Sequence, residues 1–116
     1  EWSRKFRPFG IHYCGRDPHR HAPAYGDLPH LDFFDLGSGG DIAEIRKHLP
    51  HTLLNIRLDP TAINSYSHAE IEQIITDGVA ASGNPNLTGV CCINMDAATD
   101  DEKVRTIFRT VERLKL

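Results

Sequence analysis

One histidine and two cysteine positions make this sequence a candidate for binding a metal ion. His12 and Cys14 are two residues apart in a short apolar segment, so in a strand their side chains point to the same side. Cys91 and Cys92 follow in a later apolar segment. One imidazole nitrogen and two thiolate sulfurs suit Zn²⁺, and three such ligands leave a fourth tetrahedral position open. A substrate thiol that binds there loses its proton at neutral pH and becomes a nucleophile.

The same residues also have a purely structural interpretation. His12 would then be a hydrogen-bonded histidine of the interior and Cys14 a small buried hydrophobic residue. A His-x-Cys pair is common in proteins, and on spacing alone the structural interpretation is the stronger of the two. The elements that would carry the residues therefore have to be considered.

Four predicted strands alternate with four predicted helices along the chain. The strands are expected at 9–14, 31–36, 52–58 and 87–95, where apolar and β-branched residues lie between glycine and proline signals. A weak helix is expected at 18–28. Three amphipathic helices are expected after Asp41, after Ser67 and from about Thr99 or Asp100.

Local signals mark several of the element ends. Ser67 with Glu70 and Thr99 with Glu102 each match a capping box, in which two side chains satisfy the first backbone amides of a helix. Asp59-Pro60 is expected to break the chain after the third strand. The fourth strand is apolar almost throughout, which predicts burial on both of its faces.

This alternation predicts an α/β fold with four βα units, a parallel sheet and right-handed crossovers. The chain has 116 residues, whereas a TIM (β/α)₈ barrel needs about 250. Four units are therefore about half of such a barrel, and a small open α/β sheet is the other possibility. The chain begins at Glu1 without Met, inside an aromatic and basic segment, which predicts a piece of a longer protein.

Functional groups in parallel α/β folds gather at the carboxyl ends of the strands. His12 and Cys14 lie at the predicted end of the first strand, and one of the paired cysteines lies at the end of the fourth. Asp35, Asn55 and Arg57 follow the same rule on the second and third strands. They are predicted to bind substrate by position, although Asp35 is equally well interpreted as a satisfied aspartate at a strand end.

Composition excludes several classes of function and favours a cytoplasmic setting. The chain has 13 Lys and Arg against 16 Asp and Glu, a formal net charge of −3, and no basic block, so nucleic-acid binding is not expected. It also lacks the run of about 20 apolar residues that a membrane span requires. Three cysteines without a secretion signal argue against disulfides and for a reducing compartment.

An ordered set of motifs resembles the uroporphyrinogen decarboxylase superfamily, and specifically the C-terminal part of its barrel. The segment 11–15 resembles the family's H-x-C-G element, and 55–60 resembles its G-N-x-x-P strand end. Segments 32–35, 40–49, 67–71 and 87–92 resemble the intervening and following elements in the same order. The resemblance covers nearly the whole chain, 1–116, and one departure is that Val90 precedes Cys91 where the family usually has glycine.

This resemblance implies the branch that contains methylcobalamin:coenzyme M methyltransferases and cobalamin-independent methionine synthase. It implies a zinc ion held by His12, Cys14 and Cys91, although one more gap residue would select Cys92 instead. The activity implied is zinc-dependent methyl transfer between a corrinoid and a thiol. The corrinoid would be a co-substrate on a partner protein.

Two alternatives to methyl transfer belong to other functional classes. The first is a metal-free uroporphyrinogen-type decarboxylase of tetrapyrrole biosynthesis, whose acidic and basic residues for binding the tetrapyrrole are not found in this chain. The second is an inactive fragment that self-associates, for example as a homodimer, through the two open edges of its sheet. The fragment alone is expected to be inactive, whatever the parent protein does.

Overall fold

Four short parallel strands form the centre of the computed structural model, which describes residues 2–115. The strands are β1 (Gly10–His12), β2 (Phe33–Asp35), β3 (Leu53–Leu58) and β4 (Thr88–Cys92). The helices are α1 (Trp2–Lys5), α2 (Ala22–Gly26), α3 (Ile42–His48), α4 (Pro60–Ser65), α5 (His68–Ala81) and α6 (Asp101–Arg113), with 3₁₀ turns at Pro18–His21 and Pro85–Leu87. The predicted α/β fold with a four-stranded parallel sheet is confirmed.

The strands lie side by side in the order of the sequence, β1-β2-β3-β4. The register pairs His12 with Asp35 and Asp35 with Asn55. Asn55 in turn pairs with Gly89, and Arg57 pairs with Cys91. Because side chains alternate along a strand, all of these residues belong to one face of the sheet.

The opposite face carries the apolar side chains and is called the helix face. Phe34, Leu54 and Ile56 pack there with α2 and α3 in one core cluster. Leu58 packs with residues of α4, α5 and α6 in a second cluster, which Val90 and Cys92 join from β4. Five helices, α2 to α6, therefore lie on the helix face, while the face that carries His12, Asp35, Asn55, Arg57 and Cys91 is called the open face.

The predicted helix starts are mostly confirmed, since their caps are local. The Asp41 carboxylate accepts a 2.9 Å hydrogen bond from the backbone amide of Glu44 at the start of α3. Ser67 and Glu70 form the predicted capping box of α5. The second predicted capping box is wrong: Asp100 caps α6, and the hydroxyl of Thr99 donates to Asn64 instead.

Three further expectations need correction. Asp59-Pro60 starts a helix rather than only ending a strand, because the Asp59 carboxylate caps α4 and Pro60 suits its first turn. β1, β2 and β4 are shorter than predicted at both ends and β3 is shorter only at its start, since ladder pairing ends where the neighbouring strand ends. β4 is half-buried along its whole length rather than buried on both faces.

Arg46 connects the elements at the amino-terminal ends of β3 and β4. Its guanidinium donates to the backbone carbonyls of Leu49, Thr52, Ser82 and Leu87, at 2.7–2.9 Å. Burial lowers the pKa of Arg46, and no carboxylate bonds to it among the described residues. The residue therefore serves as a structural link that hydrogen-bonds to backbone carbonyls of several elements.

The longest described helix has 14 residues. Between residues 2 and 115, none of the helices combines the length and apolar character that crossing a bilayer requires.

Candidate functional site

The candidate site lies on the open face, at the carboxyl ends of all four strands. Each strand contributes at least one side chain: His12 from β1, Asp35 from β2, Asn55 and Arg57 from β3, and Cys91 from β4. Cys14 lies two residues beyond β1. Every residue predicted from the sequence to bind metal or substrate therefore stands in or beside one group.

His12 joins a thiol to a carboxylate. Its Nδ1 lies 2.6 Å from Oδ2 of Asp35, and its Nε2 lies 2.8 Å from Sγ of Cys14. An ionised carboxylate only accepts hydrogen bonds, so the contact with Asp35 is a hydrogen bond when the imidazole proton is on Nδ1. The lone pair of Nε2 then faces Cys14, which is the tautomer that a metal-ligating histidine needs.

A close backbone approach brings Cys14 to this position. The chain after Cys14 passes directly over the end of β2, where a Cβ at Gly37 would lie 1.7 Å from the carbonyl oxygen of Gly15. Only glycine leaves room for this crossing. The glycine at position 37 therefore helps to hold Cys14 over the open face.

Arg57 supplies the positive charge of the site. Its Nη2 donates a 2.5 Å hydrogen bond to Oδ2 of Asp35 and lies 2.8 Å from Nδ1 of His12. The side chain is only 8% exposed. Burial lowers the pKa of Arg57, but the hydrogen bond and charge of Asp35 outweigh it, so the pKa is raised overall.

Asp35 is the common acceptor of the group. It accepts from His12 and Arg57 through Oδ2, and from Nδ2 of Asn55 through Oδ1 at 3.2 Å. The same Asn55 nitrogen lies 3.0 Å from Sγ of Cys91. One carboxylate therefore connects side chains from all four strands, directly or through one intervening amide.

The two adjacent cysteines of β4 occupy different environments. Cys91 reaches the open face, where its sulfur lies 4.0 Å from Oδ1 of Asp35. Cys92 packs into the second core cluster on the helix face. Burial, and to a lesser degree the nearby Cys91 and Asp59, raise the pKa of the Cys92 thiol. All three cysteines of the chain are free thiols.

The side chains of this group are not gathered tightly enough to form a complete metal centre. Within residues 2–115, no set of three or more His, Cys, Asp or Glu side chains lies in positions that could hold a metal ion together. His12 and Cys14 are in contact, whereas the Cys91 sulfur contacts Asn55 and Asp35. In chemical type, however, one imidazole and two thiols fit zinc.

Sequence analysis missed two roles in this group. Asn55 and Arg57 both donate to Asp35, a contact that their position in the strand does not indicate, and substrate binding by the two residues stays a prediction. Gly89, the register partner of Asn55, was not singled out. The signal that could have found it is its spacing from Cys91, because residues two apart in a strand share a face.

Comparison with known proteins gives no family assignment, since neither a family model nor a curated protein matches this chain.

Proposed function

We propose that this chain is the C-terminal half of a uroporphyrinogen decarboxylase-like barrel whose activity is zinc-dependent methyl transfer between a corrinoid and a thiol. The observation that carries the proposal is the pairing of His12 Nε2 with the Cys14 thiol while Nδ1 is bonded to Asp35. This arrangement places the His12 imidazole and the Cys14 thiol side by side on the open face, and Cys91 belongs to the same face.

The sheet topology supports the half-barrel part of the proposal. A doubly wound sheet reverses its strand order and carries helices on both faces. Here the order runs without reversal and α2 to α6 share one face. Right-handed crossovers in an unreversed parallel sheet produce this arrangement, as they do in a barrel. The open face would then line the barrel interior.

His12, Cys14 and Cys91 would hold the zinc ion. When bound, zinc lowers the pKa of a coordinated substrate thiol, so that the thiolate forms at neutral pH. Cys91 is preferred to Cys92 because Cys92 is packed among the apolar residues of the helix face.

Asp35 and Arg57 orient and polarise the proposed ligand His12 rather than binding the metal themselves. Asp35 holds the proton of His12 on Nδ1 and fixes the orientation of the ring. Arg57 donates to the same carboxylate, which places a positive charge beside it in a partly buried setting. Because its guanidinium is engaged in this way and is only 8% exposed, Arg57 is poorly placed to bind the acidic side chains of a tetrapyrrole.

Metal affinity tests the proposal and does not require the rest of the barrel. We expect the 116-residue chain to bind one zinc ion in a chelator competition assay. We expect His12→Ala and Cys14→Ser each to lower the affinity at least about 100-fold, because removing a ligand costs more than the 10- to 100-fold typical of its supporting residues. His51→Ala, at an exposed turn residue, is the matched control.

Two results would refute this assignment. One is a chain without stoichiometric zinc after reconstitution. The other is an affinity that neither substitution changes.

A further inference from the structure

A cavity beside the candidate site has no part in the proposed metal chemistry. Its volume is about 390 Å³, and it lies at the carboxyl ends of β2 and β3, where the chain leaves for α3 and α4. His12, Cys14 and Cys91 are not among the described residues that line it. Crevices at the carboxyl ends of parallel strands are common ligand sites in α/β proteins.

Helices α3, α4 and α5 supply apolar side chains to this cavity. Ile42, Ile63 and Ile74, one from each helix, line it, and Ile56 of β3 does so as well. Ile74 is 38% exposed. Covering such apolar surface is favourable, so the cavity suits a ligand with an apolar group.

The loop 37–40 lines the same cavity with backbone groups. Among residues 2–115, the amides of Ser38, Gly39 and Gly40 have no backbone acceptor. Gly39 has a φ of 89°. Consecutive amides in a turn that includes a residue of positive φ form a concave site for an anion.

Close packing holds this loop against the preceding segment of the chain. A Cβ at Gly37 would lie 1.7 Å from the carbonyl oxygen of Gly15, and one at Gly40 would lie 2.6 Å from Cγ of Pro18. The glycines therefore have a packing role of their own. The same packing fixes the loop before a ligand arrives, which lowers the entropic cost of binding.

Two arginines line the cavity as well. Arg16 is exposed, and no carboxylate of the described residues forms an ion pair with it. The Nε of Arg57 is buried and has no hydrogen-bond partner within residues 2–115, although its Nη2 donates to Asp35. A buried N–H without an acceptor costs free energy, and an oxygen of a ligand would satisfy it.

We propose that this cavity binds a small organic phosphate that carries an apolar group. The phosphate would lie at the loop 37–40 beside Arg16 and Arg57, and the apolar group would lie among the isoleucines of the three helices. A phosphate offers three oxygens to these donors, whereas a carboxylate offers two. The inference does not rest on the proposed zinc site, because the proposed zinc ligands do not line the cavity.

Isothermal titration calorimetry of the zinc-free, 116-residue chain with 1-naphthyl phosphate tests this proposal. The compound should bind at least about tenfold more tightly than either 1-naphthol or inorganic phosphate, because each of these occupies only one part of the cavity and one charge-assisted hydrogen bond is worth about that factor. 1-Naphthoate, which has the same ring and a carboxylate, should bind more weakly than the phosphate. The proposal is refuted if 1-naphthyl phosphate binds no more tightly than any one of these three compounds.

Substitutions in the two parts of the cavity locate the binding site. Arg16→Gln should weaken binding of 1-naphthyl phosphate about tenfold and leave that of 1-naphthol unchanged. Arg4→Gln, at an exposed arginine outside the cavity, should change neither. Equal effects of the two substitutions would overturn the site.

The apolar part is tested by filling it. Ala62 lines the cavity from α4, so Ala62→Phe should weaken binding of both naphthalene compounds. Ile74→Ala, at a partly exposed position, should also weaken both and serves if Ala62→Phe does not fold. Unchanged affinity for 1-naphthyl phosphate in a folded Ala62→Phe variant, or in Ile74→Ala, would place the ligand elsewhere and contradict the proposal. Because the titrations are carried out without zinc, a failure of the proposed metal site would leave these results unaffected.

Discussion

The two faces of the sheet differ in composition: one packs apolar side chains against helices, and the other carries a network of polar side chains. On the helix face, Phe34 and Leu54 are fully buried against helices. On the open face, Asp35 and Asn55 carry polar groups that bond to one another. Because the strand period is two, each residue that builds the core is adjacent in sequence to one that builds the site. Neighbouring residues therefore provide matched pairs that test each face separately.

The largest difference in stability is expected between Phe34 and Phe33. Phe34 is completely buried on the helix face, whereas Phe33 is 38% exposed on the open face. Phe34→Ala should lower the free energy of unfolding by about 4 kcal/mol, because it removes a large apolar side chain and leaves a cavity. Phe33→Ala should cost about 1 kcal/mol.

Urea denaturation measures both values. Equal losses in the two variants would mean that both faces are buried to the same extent, and the distinction between them would fail.

The adjacent cysteines should separate metal binding from packing. Cys91→Ser should lower zinc affinity at least about 100-fold, because it removes a proposed ligand. Cys92→Ser should leave zinc affinity unchanged and instead lower the free energy of unfolding by about 1 kcal/mol, since it places a hydroxyl among apolar neighbours. Chelator competition and urea denaturation report the two effects, and the reverse pattern would assign the ligand to Cys92.

A smaller, kinetic difference is expected between the thiols of the metal-free chain. Cys14 is exposed, whereas Cys92 is partly buried and its pKa is raised, chiefly by burial. Because the thiolate is the reactive form, iodoacetamide should modify Cys14 several-fold faster than Cys92 at pH 7.5. Mass spectrometry of timed samples measures the two rates. They should become similar in urea, and similar rates in the folded chain would contradict the placement of Cys92.

Much of the fold was predictable from local signals. Asp41 caps α3, and Ser67 with Glu70 caps α5, as their side chains indicate from the sequence alone. α4 was missed because Asp59-Pro60 was interpreted as a break, although the same pair also suits a helix start. Local sequence thus located most helices and strands and several helix starts, but not most of the strand ends, which depend on pairing with neighbouring strands.

The site was predictable as a set of residues but not as a network. Strand ends and alternation predicted His12 and Cys14 on one side, and their side chains are in contact although β1 ends at His12. The contact of Asn55 with Cys91 depends on the register between β3 and β4, and a shift of one residue would present Cys92 instead. Register is fixed by packing between segments distant in sequence, which no local motif encodes.

The smallest effect is expected from the capping box at α5, on the helix side of the sheet. The backbone amide and the hydroxyl of Ser67 both donate to the Glu70 carboxylate, and they lower its pKa below the ordinary 4.5. A carboxylate whose pKa is lowered by folding stabilises the native state above its unfolded pKa. That stabilisation is lost as the pH falls through the folded value.

Glu70→Gln keeps the shape of the side chain and removes its charge, so it isolates this contribution. The variant should be slightly less stable than the wild type at pH 7, and the difference should shrink as the pH is lowered from about 4.5. Urea denaturation across this range measures it, with Glu112→Gln, at an exposed position of α6, as the control. A difference that stayed constant down to pH 3 would show that the charge of Glu70 plays no part.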